Sequence, residues 1–256
     1  MKKPIIVLGI GELGSVFARA FLKNNHPVYP ITRTTDIDEL RTSIDPEFIL
    51  ICTGEADLQS ALKSIPNEWK DRIAMMQNEL LPRDWTAHNL TNPTIISVWF
   101  EKKKGTDSKV LISSPTYGKK AQILVDALAL IDIPAHTLTS PDELLFELVL
   151  KNLYILTTNI AGISIEPNAT VDTLHNQHLT LMRNVSNDIL TLQTQLAKQT
   201  FDAQKLEQGM IKAFQGDLTH QCMGRSAPAR LKRTLELAKS FNLSLPTLED
   251  IAGQTL

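Results

Sequence analysis

Residues 4–33, PIIVLGIGELGSVFARAFLKNNHPVYPITR, constrain the fold more than any other stretch of the chain. A β-type apolar run at 4–8 leads into Gly9-Ile10-Gly11-Glu12-Leu13-Gly14. Val16, Phe17, Ala20 and Phe21 follow at helical spacing, and a second short strand is expected at 28–32. Strand, glycine turn, helix and strand in that order make a βαβ unit suited to a dinucleotide. The first glycine permits the tight turn, the second lets backbone approach a pyrophosphate, and the third lets helix pack on strand. Amides at the helix N-terminus then face the phosphates. The whole loop, Gly9, Ile10, Gly11, Glu12, Leu13 and Gly14, is expected to hold the cofactor, with Thr53 at the end of the third strand.

The tip of the second strand indicates which dinucleotide. An acid there bonds the ribose 2′-hydroxyl of NAD, whereas an arginine suits the 2′-phosphate of NADP. The chain reads Ile31-Thr32-Arg33-Thr34-Thr35, and Asp36 and Asp38 lie beyond the usual point. Arg33 brings a guanidinium fork to that position, so NADP(H) is the expected cofactor.

Strand and helix alternate through the first half. The run 48–52 reads as a strand covered on both faces, 57–65 as a short helix ended by Pro66, and 73–76 as another strand carrying Gln77-Asn78-Glu79 at its carboxyl end. Segments 94–100 and 109–113 read as an antiparallel hairpin around Gly105, 119–130 as a helix and 134–138 as an edge strand. Ser140-Pro141-Asp142-Glu143 is a capped helix start. Beyond it, 141–165, 175–200, 203–215 and 226–241 all carry helical periodicity. The expected fold class is α/β: an N-terminal Rossmann-type dinucleotide-binding domain, 1–139, followed by an all-helical domain, 140–256. Only about a dozen residues separate Arg33 from the strand at 48, so the site is expected to be compact and incompletely walled on its adenine side.

A net charge of −2 supplies no field for nucleic acid. No stretch nears 18 uninterrupted apolar residues, so no membrane span is expected. Met-Lys-Lys before an apolar run looks like a signal peptide, but Gly9, Gly11 and Glu12 interrupt it. Cys52 and Cys222 lie far apart without a CxxC, which fits inert thiols in a reducing, cytoplasmic setting. His175 and His178 lack a third ligand at convincing spacing, so no metal site is expected.

Taken together, these motifs resemble the ketopantoate reductase family, whose members use NADPH to reduce 2-dehydropantoate to pantoate in pantothenate biosynthesis. The glycine loop matches the family's GxGxxG, and Arg33 falls where its members hold the 2′-phosphate. Gln77-Asn78-Glu79 is similar to the family's (H/Q)-N-G, whose Asn lies near nicotinamide and substrate. Glu147-Leu148-Val149-Leu150-Lys151, with Asn159 eight residues on, resembles E-L-W-x-K…N. The resemblance implies that Lys151 is the catalytic acid, that Asn78 serves catalysis and cofactor, and that Asn159 contacts substrate. It also implies a small keto-acid substrate and is compatible with a homodimer built through the helical domain.

The chemistry is sound on its own terms. Hydride arriving at a keto carbon leaves negative charge on oxygen, and a positioned ammonium both stabilises that charge and supplies a proton. Three positions depart from the family: Gly54-Glu55 replaces a lysine after the third strand, Glu79 replaces the glycine of N-G, and no carboxylate stands near Ser226, where a substrate-binding Glu belongs. Gly224-Arg225-Ser226-Ala227-Pro228-Ala229-Arg230 brings two arginines to that region instead. Arg225 and Ser226 are the expected substrate contacts there, and Arg230 is equally able to grip a carboxylate. The lost acid and lysine predict poor activity on ketopantoate itself. They leave two alternatives open: a hydroxy-acid or imine reductase of the wider Rossmann-plus-helical group, and a catalytically silent NADP-binding sensor or scaffold.

Overall fold

A computed structural model of the chain describes residues 2–255. They form two compact units, one running to Glu147 and one beginning at Leu148.

The first unit is α/β, and its strands are Ile5–Leu8 (β1), Val28–Ile31 (β2), Phe48–Ile51 (β3), Ile73–Met75 (β4), Thr94–Ile96 (β5), Phe100–Glu101 (β6), Lys109–Val110 (β7), Ser114–Tyr117 (β8) and Ala135–Thr137 (β9). Seven of them make one sheet in the order β2-β1-β3-β4-β5-β8-β9, parallel throughout except between β5 and β8. IIVL of β1 and FILI of β3 are buried at every position, as a sheet covered on both faces demands. Helix Glu12–Lys23 (α1) turns Val16, Phe17, Ala20 and Phe21 inward. Phe21 meets Phe48 edge to face at 5.5 Å, and Phe17 lies 5.9 Å from Phe100. Shorter helices follow at Ile37–Ser43 (α2), Leu58–Ser64 (α3), Pro82–Thr86 (α4) and Ala121–Ala129 (α5).

Three expectations change here. The hairpin around Gly105 is smaller than expected: β6 and β7 pair as a separate two-stranded ribbon, while β5 joins the main sheet, where Ile95 and Ile96 are enclosed. β8, which Pro115 disguised in the sequence, runs antiparallel to β5. The link between β2 and β3 is not bare, because α2 forms within it, capped by the Asp36 carboxylate on the amides of Asp38 and Glu39.

Helix Pro141–Ala161 (α6) carries the chain from one unit into the other. It is long and apolar enough to resemble a membrane span, yet 78% of its most apolar window is buried inside the fold. It stops before the expected residue 165. A Cβ at Gly162 would lie 2.9 Å from Cys222 Cβ and from the Met223 amide nitrogen, so the loop carrying Cys222 passes too close for a side chain there. The rest of the second unit is helical: Val171–Gln177 (α7), Leu179–Ala197 (α8), Ala203–Gly216 (α9), Ala227–Ser240 (α10) and Pro246–Thr255 (α11). The expected helix 175–200 is broken at His178, whose ring reaches Glu166 at 3.1 Å. α11 was not expected. Its N-terminal amides, those of Thr247 and Leu248, are capped at 2.8 and 3.1 Å by Asp188 of α8, a partner remote in sequence.

Candidate functional site

In the first unit the glycine loop lies where the strand order reverses around β1, the switch point at which open α/β sheets bind ligands. Gly9 has φ +96°, a left-handed conformation that side chains resist. A Cβ on Gly14 would lie 2.1 Å from the Gly9 carbonyl oxygen, so α1 and the loop are in closest contact there. Gly11 differs: nothing lies within 4 Å of the place where its Cβ would stand. Two of the glycines are demanded by the protein's own packing, and the middle one faces open space at the start of α1.

That space is a cavity of about 730 Å³ lined by Gly9, Ile10, Gly11, Thr32, Arg33, Thr35, Ile37, Thr53 and neighbouring residues. Ile37 of α2 and Ser60, Ala61 and Ser64 of α3 wall the side that the short connection was expected to leave open. The Thr53 hydroxyl is buried and has no hydrogen-bond partner among the described residues. An exposed glycine loop at a helix N-terminus, an arginine at the strand tip and an unsatisfied hydroxyl suit a phosphate-bearing, ribose-bearing ligand. Glu12, Leu13 and Gly14 do not line the cavity. Glu12 pairs with Lys102 at 3.5 Å, Leu13 packs on the apolar core and Gly14 supports the loop from beneath.

Asn78 is half-buried beyond the carboxyl end of β4. Its Nδ2 donates to Glu55 Oε1 at 2.9 Å, so Glu55 holds this amide. Gln77 ties the neighbouring loop by donating to the carbonyls of Ile51 at 2.9 Å and Thr53 at 3.2 Å. Glu79 adopts φ +61°, keeping the left-handed turn that a glycine would make without strain, at a cost of order 1 kcal/mol.

In the second unit Lys151 and Asn159 stand on one face of α6. Lys151 is only 9% exposed, and its Nζ lies 5.5 Å from the centre of the Tyr154 ring. Burial and, secondarily, the positive charge of Arg230 lower its pKa to about 7. Asn159 Oδ1 accepts from Arg230 Nη1 at 2.8 Å, and its Nδ2 donates to the Cys222 carbonyl at 3.2 Å. Arg225 and Ser226 are exposed at the start of α10, and it is Arg230, 9% exposed, that enters the interior. Helical spacing could have found it. Ala227, Arg230, Leu231, Thr234 and Ala238 form the buried stripe of α10. Burial likewise pushes the Cys222 thiol up to about 12, with Glu166's charge adding to it, which leaves an unreactive thiol. His175 lies against Phe214 and His178 against Glu166.

The first unit thus has the architecture of a dinucleotide-binding α/β domain, and the second is all helical. Solved structures with this combination extend over the whole chain, and the fold is that of the ketopantoate (2-dehydropantoate 2-) reductases. The dimeric ketopantoate reductase of Staphylococcus aureus is 17% identical, covering 98% of this chain and 97% of its own, with a TM-score of 0.63. A probable 2-dehydropantoate 2-reductase of Bacillus subtilis is 15% identical, covers 98% of both chains and has a TM-score of 0.66. D-mandelate dehydrogenase, solved with NADH, is 12% identical over 99% of this chain and 97% of its own, with a TM-score of 0.67. No protein-family model and no curated protein matches the sequence.

Proposed function

We propose that the chain is an NADPH-dependent reductase of a small 2-keto acid, a divergent relative of the ketopantoate reductases. The observation that carries this reading is Lys151: a buried lysine on the helix that also carries Asn159, within reach of the charge of Arg230, at a pKa suited to proton transfer near neutrality. In this reading Gly9, Ile10, Gly11, Arg33 and Thr53 hold the dinucleotide, which when bound supplies a hydride to the keto carbon. Lys151 gives its Nζ proton to the carbonyl oxygen as that oxygen gains negative charge. Asn159 orients the substrate by hydrogen bonding, and Asn78, held by Glu55, orients the reacting groups. Oxidation of NADPH in the presence of a panel of 2-keto acids, ketopantoate among them, tests the reading; no turnover of any member leaves a silent NADP-binding protein. A hydroxy-acid dehydrogenase is the second reading, favoured by the comparable likeness to D-mandelate dehydrogenase, and the same panel run with NADH separates the two.

Arg33 stands at the tip of β2 on the cavity wall, where it suits a 2′-phosphate. Arg33→Ala is expected to weaken NADPH binding by at least about tenfold, the loss of one charge-assisted contact, while leaving NADH nearly unchanged. Calorimetry that finds the two cofactors equal, before and after the substitution, removes the assignment.

The lysine also sets a pH dependence whose sign is fixed. Reduction needs the protonated amine, so kcat in that direction falls as pH rises through about 7, and the reverse reaction gains over the same range. Between about 7 and the ordinary lysine range, the unfolded chain binds a proton that the folded chain has released. Lys151 therefore makes folding stability rise with pH across that window, by at most about 1.4 kcal/mol per pH unit. Denaturant midpoints of the protein and of Lys151→Met, measured from pH 6.5 to 10, should show the difference between them changing across this window. A constant difference contradicts the lowered pKa.

A further inference from the structure

Arg230 reaches the interior from a helix that is otherwise drawn inward by small and apolar side chains. Enclosing a guanidinium is costly unless its partners are well placed. Its Nη1 donates to Asn159 Oδ1 at 2.8 Å, while Asn159 Nδ2 donates to the Cys222 carbonyl at 3.2 Å. These bonds engage opposite ends of one carboxamide, so turning it over would set donor against donor and acceptor against acceptor. Asn159 is held in one orientation by α10 and by the loop that precedes it. Lys151 stands on the same face of α6, eight residues earlier.

We propose that Arg230 is a positioning residue: it fixes which way the Asn159 carboxamide faces and acts by its charge on Lys151. The catalytic consequence rests on the reductase reading above; the positioning does not. Glu147 stands one turn before Lys151 on α6, and the Tyr154 ring is centred 5.5 Å from the ammonium. The His220 ring is 6.2 Å from that of Tyr154, its Nδ1 lies 3.9 Å from Asp217 Oδ2, and the Cys222 thiol stays protonated. Arg230 is the neighbour whose charge presses Lys151 to give up its proton, adding to the effect of burial. A site that lacks the family's substrate-binding Glu thereby gains an internal cation that makes its acid a better proton donor at neutral pH.

The test is a carbon-13 NMR titration of lysine-labelled full-length protein, with the Lys151 signal assigned by its loss in Lys151→Met. Arg230→Gln is expected to move the Lys151 midpoint upward by about one pH unit, and Arg230→Lys, which keeps the charge, to leave it near its original position. The Asn159 side-chain amide signals should move in both variants, since neither glutamine nor lysine places a donor where Arg230 Nη1 meets Oδ1. An unchanged midpoint in Arg230→Gln, or an unmoved Asn159 amide in both, overturns the proposal. If Arg230→Gln does not fold, Arg230→Lys decides alone: a retained midpoint with a displaced amide supports the role, and any other result refutes it. The titration needs no substrate, so it stands even where no keto acid is reduced. Where turnover is found, the falling limb of kcat in Arg230→Gln should shift to higher pH by the same interval, and Arg230→Lys should restore it.

Discussion

Lys151→Ala is expected to reduce turnover of whichever keto acid is accepted by roughly 10² to 10⁴, the usual worth of a positioned general acid. The loss should fall on kcat more than on KM, because the proton is needed only as charge develops on the carbonyl oxygen. Cofactor affinity should be unaltered, since Lys151 does not line the cavity around Gly11 and Arg33. Stability should hardly suffer at neutral pH. Removing a long buried side chain costs packing, but it also removes an amine whose charged form the interior disfavours, and the two effects oppose each other. Steady-state kinetics alongside thermal unfolding checks this; a kcat within a factor of about three of the parent, below the range of acid catalysis, eliminates Lys151 as the proton donor.

The second large effect separates two glycines of one motif. Gly14→Ala places a methyl carbon 2.1 Å from the Gly9 carbonyl oxygen, a backbone atom that cannot move aside without dislodging the loop from Cys52 and Thr53. A loss of about 3 kcal/mol or more in the first unit is expected, at the upper end of what one overpacked contact costs. Gly11→Ala meets no atom within 4 Å and takes an ordinary backbone angle, φ −83°. It should fold as the parent does, yet bind dinucleotide at least about tenfold less tightly, because its methyl occupies the approach of the pyrophosphate. Urea denaturation and cofactor titration on the two variants give opposite patterns. Equal destabilisation by both would remove the distinction between a packing glycine and a ligand glycine.

Much of the architecture was legible in the residues because short-range physics dictates it. The apolar runs of β1 and β3, the spacing of Phe17 and Phe21, and the glycines between them specify a βαβ unit within about thirty residues. The capped start at Ser140 and the helical periodicities beyond it likewise announced an all-helical second half. Within the site, the glycine loop and Arg33 fall on one cavity because the turn and the strand tip are neighbours in sequence and in the sheet.

What only the tertiary structure decided depends on partners distant in the chain. α11 begins where Asp188 offers its carboxylate, and no window of local sequence contains both cap and helix. β8 carries a proline and becomes a strand because β5 and β9 flank it. The choice between Arg225 and Arg230 is of the same kind. Both stand in one heptapeptide with identical side-chain chemistry, and the face of α10 that packs inward buries Arg230 against Asn159 while Arg225 stays in solvent. Composition and local spacing carry the secondary structure and the glycine turn. The burial that lowers the pKa of Lys151 is a property of the folded chain, because desolvation is set by what packs around a charge and not by its neighbours in sequence.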